Sequence, residues 1–109
     1  MFTVEYYQKP DGTYPVEEFV LKLDIKMQAK VFRAFLLLEE FGNQLSAPYS
    51  KYIEDGIYEL RIKHGSDTVR IFYYFNPGER IVLTNGFVKK TQKTPREEIL
   101  LAKRRRQQF

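Results

Sequence analysis

IYELRIK (Ile57–Lys63), TVRIFYYF (Thr68–Phe75) and IVLTNGFV (Ile81–Val88) stand in a row, separated by HGSD and NPGER and followed by KKTQKTP (Lys89–Pro95). In the first run Tyr58, Leu60 and Ile62 alternate with Glu59, Arg61 and Lys63. In the second, Val69, Ile71, Tyr73 and Phe75 alternate with Thr68, Arg70, Phe72 and Tyr74. A period of two is the mark of a strand, and two short turns make the three runs an antiparallel meander. If the apolar sets define the core side, Arg61 and Arg70 share the opposite face. The third run is apolar on both parities, which places it inside the sheet, and it ends where Lys89 and Lys90 begin.

Upstream, Phe2, Val4 and Tyr6 alternate with Thr3, Glu5 and Tyr7, a half-buried strand expected beside the third run. Lys9-Pro10-Asp11-Gly12 is a turn. Pro15 suits the first position of a short helix ending near Leu23, and Asp24 the N-cap of a longer one over Ile25–Phe41. Ile25, Ala29, Phe32 and Leu36, widened by Phe35, Leu38 and Phe41, give that helix a broad apolar stripe, and Gly42-Asn43 stops it. The two helices form a hairpin that must lie on the sheet. Asn43–Asp55 reads as a loop, with Lys51 a surface charge. Downstream, Thr94 as N-cap, Pro95 first and Glu97 at the capping-box position start a last helix, with Ile99, Leu100 and Ala102 as a narrow apolar contact.

The expected fold is therefore α+β: a helix hairpin packed on a mostly antiparallel four-stranded sheet, in β-α-α-β-β-β-α order. A chain of 109 residues, 43% hydrophobic, is expected to make one domain, 1–109, around one core. It has no cysteine and one histidine, so disulfides and thiolate metal sites are excluded and no metal or cofactor is expected. Met1–Pro10 lacks the apolar core of a signal peptide and no apolar run is long enough for a bilayer, so a cytoplasmic location is expected.

The net charge is +4, but Lys89–Arg106 alone carries eight basic residues against Glu97 and Glu98, leaving −2 for the rest. A basic end on a weakly acidic body suggests a polyanion or an acidic protein partner. The plainer reading is a solubilising helix whose late arginines complement its dipole.

Two arginines on neighbouring strands repel unless an anion or an acid such as Glu59 lies between them. Each alone is more often a solvated charge, but Arg61, Arg70, Lys89 and Lys90 around one concavity favour a phosphate. Such a cluster, with no Ser, Cys or His nucleophile arrangement, suits RNA cleavage, where the nucleophile is the substrate's own 2′-OH. The protein then needs only to position the phosphate, stabilise charge and move protons. Phe72 and Tyr74, on the face of Arg70, are candidates either to stack bases or to pack under a partner element. His64, alone in a turn, is set aside.

These residues resemble the phage-derived, HigB-like branch of the RelE/ParE toxin superfamily, most specifically in GFVKKTQKTPREEI (Gly86–Ile99). The resemblance covers nearly the whole chain. It implies a type II toxin, a ribosome-dependent endoribonuclease that enters the A site and cuts mRNA there, with a helix-turn-helix antitoxin as its partner. Arg70 then matches the strand arginine on the scissile phosphate, Arg61 a basic position on the preceding strand, and Lys89 or Lys90 the basic residue after the last strand. Lys63, Phe72, Tyr74, Lys93 and Arg96 are the expected RNA or ribosome contacts. Glu59 stands where the best-studied relatives have lysine, and no Tyr or His follows Lys90, so Glu59, Lys63, Tyr74, Lys89 and Lys90 all remain candidates for the base. The alternatives are a ParE-like, non-enzymatic inhibitor of DNA gyrase and a non-catalytic module that docks its basic helix on nucleic acid or an acidic protein.

Overall fold

The computed structural model describes residues 1–109. Strand β1 (Thr3–Tyr6) leads to helices α1 (Pro15–Leu21) and α2 (Ile25–Phe41), and a single 3-10 turn, Gly42–Gln44, follows. Strands β2 (Ser50–Glu54), β3 (Ile57–His64), β4 (Asp67–Asn76) and β5 (Arg80–Val88) come next, and helix α3 (Arg96–Gln108) is the last element. The strands form one mixed sheet in the order β1-β5-β4-β3-β2. β1 runs parallel to β5, with Val4 opposite Ile81, and every other pair is antiparallel.

The helix hairpin on a mostly antiparallel sheet is as expected, but the sheet has five strands. The additional one, β2, lies inside the stretch read as a loop. SKYIE has no clean alternation; pairing along the edge of β3, with Lys51 opposite Glu59 and Tyr52 opposite Tyr58, supplies what its pattern lacks. Its signal was the turn that follows. Asp55 and Gly56 both hold positive φ, 50° and 79°, the geometry a two-residue hairpin requires and an Asp-Gly pair favours.

The alternation read from the sequence holds. Leu60, Ile62, Val69, Ile71, Tyr73, Ile81 and Leu83 form one core with α1 and α2. β5 then changes parity. Tyr73 lies opposite Leu83 but Phe72 opposite Asn85, so Thr84 is an extra residue and the strand bulges there. Beyond the bulge Gly86 points at the hairpin, where a Cβ would sit 2.7 Å from the Phe19 ring. Only a residue without a side chain lets α1 pack this closely.

Asp24 caps α2 by accepting from Lys26 N (3.0 Å), and Gly42 ends it at φ +52°. The apolar stripe of α2 needs correction. Phe35 and Leu38 face the sheet as expected, joined by Met27, Val31 and Ala34. Ile25, Ala29, Phe32, Leu36 and Phe41 point to solvent, with Ile25 73% and Leu36 65% exposed. The helix carries two apolar stripes and periodicity does not choose between them. The chosen one has Ala34 in its middle, which allows close approach to β3, and it suits the short link Lys22–Asp24 to α1.

The last helix makes the narrow apolar contact expected through Ile99 and Ala102, but Leu100 is exposed. α3 lays Ile99 and Ala102 on the other face of the sheet, over Tyr7, Ile57, Phe72, Tyr74 and Val82. A sheet covered on both faces explains why β5 is apolar on both parities. Thr94 does not cap α3, whose N-cap position falls to Pro95 without a side-chain bond. No helix is long and apolar enough to cross a membrane.

Two nearby leucines of α2 test the facing of this helix. Leu38→Ala, at a fully buried position, should cost about 2–5 kcal/mol in urea unfolding. Leu36→Ala should stay within about 0.5 kcal/mol of the parent.

Candidate functional site

Arg61 on β3 and Arg70 on β4 are directly opposite one another in the ladder, on the face away from the hairpin. What holds two guanidinium groups side by side is Glu59, two residues before Arg61 and so on the same face. Its side chain is 0% exposed. Arg61 Nε donates to Glu59 Oε2 at 3.0 Å, and Thr94 Oγ1 donates to Glu59 Oε1 at 3.2 Å. Arg70 Nε lies 3.4 Å from the same Oε2, an ion-pair contact without hydrogen-bond geometry, so this Nε is buried with no hydrogen-bond partner. The hydroxyl expected to cap α3 is thus spent tying the Lys89–Pro95 loop to the carboxylate.

In front of Arg70 the sheet opens into a cleft of about 570 Å³ lined by Lys63, Thr68, Arg70, Lys89, Lys90, Thr91 and Gln92. No carboxylate and no apolar side chain lines it. Lys89 N donates to the Thr68 carbonyl (2.8 Å), which carries the β4–β5 pairing one residue past β5 and aims the lysine loop over Arg70. Burial pushes the Lys89 pKa below its usual value; Glu59 pulls it up, while Arg70, Arg61 and Lys51 add to the depression. Burial likewise lowers Arg70, opposed by Glu59 and reinforced by Arg61. These are the marks of cations held close together and partly out of water. No group of three or more His, Cys, Asp or Glu side chains comes together anywhere in the protein.

Of the expected site residues, the structure brings Arg70, Lys89, Lys90 and Lys63 into one cleft. Arg61 shares their face and their carboxylate but does not line that cleft. Lys93 is exposed in the following loop, outside the lining. Arg96 is turned to Glu54 at 2.5 Å. Phe72 and Tyr74 need correction: both are buried beneath α3 and offer no face to a base. Burial also removes Tyr74 from the candidate bases. Thr68, Thr91 and Gln92 were missed, although Thr68 shares the parity of Arg70 and the other two directly follow Lys90.

The basic tail is largely spent within the fold. Lys103 pairs with Glu54 at 2.5 Å, Arg106 with Asp55 at 2.9 Å, and Arg105 donates to the Thr84 carbonyl at 2.8 Å, its guanidinium 5.4 Å from the Tyr7 ring centre. Asn85 Nδ2 donates to the Glu98 carbonyl and carboxylate (3.1 and 2.9 Å), and the Tyr7 hydroxyl to Gln108 Oε1 (2.9 Å). These bonds clamp α3 across the β2–β3 turn and β5. The cationic surface of the molecule is therefore the cleft rather than the helix.

The fold is thus a mixed sheet with a hairpin on one face, a clamped helix on half of the other, and a basic cleft on the remaining half. Residues 18–107 match the family model described as phage-derived protein Gp49-like (DUF891). The chain belongs to this phage-derived Gp49-like family, which is RelE/toxin-like. No curated protein matches it.

Two measurements probe the supports of the cleft. Glu59→Gln keeps the shape but leaves Arg61 and Arg70 facing each other without a counter-charge. It should cost about 3 kcal/mol by urea unfolding, the low end for breaking a buried pair because both arginines keep a path to solvent. Glu54 has its pKa lowered from 4.5 to about 2 by hydrogen bonds from Arg96 and then Lys103. Its contribution is thus complete above pH 4.5 and disappears as the pH falls through about 2. The difference in Tm between the parent and Glu54→Gln should accordingly shrink across that window, and a constant difference would refute the clamp.

Proposed function

We propose that this protein is the toxin of a type II toxin–antitoxin system, of the HigB-like branch, and that it cleaves mRNA in the A site of the ribosome. The observation that carries this reading is the cleft itself. Arg70, backed by Glu59, faces Lys63, Lys89 and Lys90 across an opening with no carboxylate in its wall. In the proposed reaction the 2′-hydroxyl of the RNA attacks the adjacent phosphorus. The bond to the 5′-oxygen of the next nucleotide breaks, leaving a 2′,3′-cyclic phosphate and a 5′-hydroxyl. The terminal nitrogens of Arg70 bind the non-bridging oxygens as their charge grows. Lys89, with its pKa lowered by burial, is the readiest carrier for the proton of the 2′-hydroxyl. Lys90 and Lys63 add positive charge, and a protonated lysine or water supplies the proton the 5′-oxygen needs. The A site would order the substrate, and a helix-turn-helix antitoxin would keep the cytoplasmic toxin silent.

Induced expression of the parent chain should stop amino-acid incorporation before DNA synthesis, as seen by pulse labelling. The reverse order would favour a gyrase inhibitor. Arg70→Ala should slow cleavage of ribosome-bound mRNA by about 10²–10³-fold with an unchanged circular-dichroism spectrum. An Arg70→Ala protein as toxic as the parent would sink the mechanism.

A further inference from the structure

The sheet has a second opening, on the other flank of β3. β2 pairs with β3 only from Ser50 opposite Leu60, with one further bond from Arg61 N to the Tyr49 carbonyl (2.8 Å). Beyond it, the last residues of β3 have no strand on their outer edge, and α2 passes above. The gap is a hollow of about 460 Å³ whose charged lining is Lys30 and Arg33 from α2 with Arg61 and Lys63 from β3, over an apolar floor of Ala34, Leu37 and Ile62. Again no carboxylate lines it. Lys30 Nζ reaches across to the Lys63 carbonyl at 3.3 Å, and Tyr49, 48% exposed, stands in the wall. Arg61 spends its Nε on Glu59, and no hydrogen bond holds its two terminal nitrogens.

Lys63 lines both openings, so they are two ends of one cationic path around the end of β3. Four cations around a small hollow repel one another and gain most from an anion among them. A single compact anion does not reach from Lys89 to Arg33. A chain of regularly spaced charges does. A half-exposed tyrosine beside such a path is the usual platform for an unpaired base. We infer that the hollow formed by Lys30, Arg33, Arg61, Lys63 and Tyr49 is a second RNA subsite, holding the sugar-phosphate backbone of single-stranded RNA that continues from the Arg70 cleft, with one base against Tyr49. This rests on the RNA reading of the first cleft and extends it. It also assigns Arg61 to gripping the strand, apart from the phosphate that is cut.

The test uses the full chain, a labelled 2′-O-methyl RNA decamer that cannot be cut, and vacant ribosomes. Lys30→Glu with Arg33→Glu, both at exposed positions of α2, should weaken decamer binding at least about tenfold. It should also reduce the slope of log K against log salt by about 1.4, at about 0.7 per lost phosphate contact. Tyr49→Ala should weaken it by about 5- to 100-fold with little change in slope. Weakening on the decamer assigns the subsite to the message strand and supports it; weakening on vacant ribosomes alone shows a contact with ribosomal RNA instead and overturns it. Parent-like affinity and slope on both probes overturn it. Cleavage is scored separately. If the parent binds RNA through the hollow but never cuts mRNA, the subsite stands and the nuclease reading fails. If Arg70→Ala abolishes cutting while the double variant binds as the parent does, the nuclease reading stands and the subsite fails.

Discussion

Glu59 is the constraint on which the site depends. A carboxylate with no exposed surface sits between Arg61 and Arg70, and accepts from Thr94 of the loop that bears the lysines. Taken out of water, a charge of this kind costs several kcal/mol unless its partners are in place. It therefore allows few arrangements of β3, β4 and the Lys89–Pro95 loop. A buried ion pair is weak evidence for net stability, but here it accounts for specificity. It holds both guanidinium groups on one carboxylate, while a terminal nitrogen of Arg70 also donates to the Val69 carbonyl at 3.4 Å.

The same carboxylate sets the electrostatics. With Glu59 engaged by two arginines, the cleft wall in front of Arg70 holds four cations and the neutral side chains of Thr68, Thr91 and Gln92, with no carboxylate. Burial lowers both Arg70 and Lys89, so the protein holds charge in a state that an incoming anion relieves.

α3 decides how much of this face is used. The strand residues opposite the hairpin divide into two halves. Towards β1, Phe72, Tyr74 and Val82 are sealed under Ile99 and Ala102. Towards the end of β3, Arg61, Arg70 and Lys63 lie outside the cover of α3, Lys63 exposed and the two arginines part-buried. The helix stays on its half because Lys103, Arg105 and Arg106 are tied to Glu54, Thr84 and Asp55. A basic run that looks like a nucleic-acid handle in one dimension thus works as a clamp in three. That clamp fixes the border of the open cleft.

The meander, the facing of Arg61 and Arg70, the place of β1 beside β5 and the ends of α2 were legible because each rests on simple patterns: a period of two, a run apolar on both parities, Asp at an N-cap, Gly at a helix stop. β2 was legible only through its Asp-Gly turn, since an edge strand draws its stability from its neighbour. Phe72 and Tyr74 were ambiguous because a strand pattern says which residues share a face, and not what lies on it. α2 was ambiguous because it offers two apolar stripes at equal spacing. The sequence by itself determined the elements, their order and the side of the sheet on which the cations stand, because backbone periodicity and caps act over a few residues. Only the tertiary structure decided which cations are free and which are spent on Glu54, Asp55 and Glu59. Those partners lie up to fifty-one positions away along the chain, and a contact of that range leaves no local pattern to read.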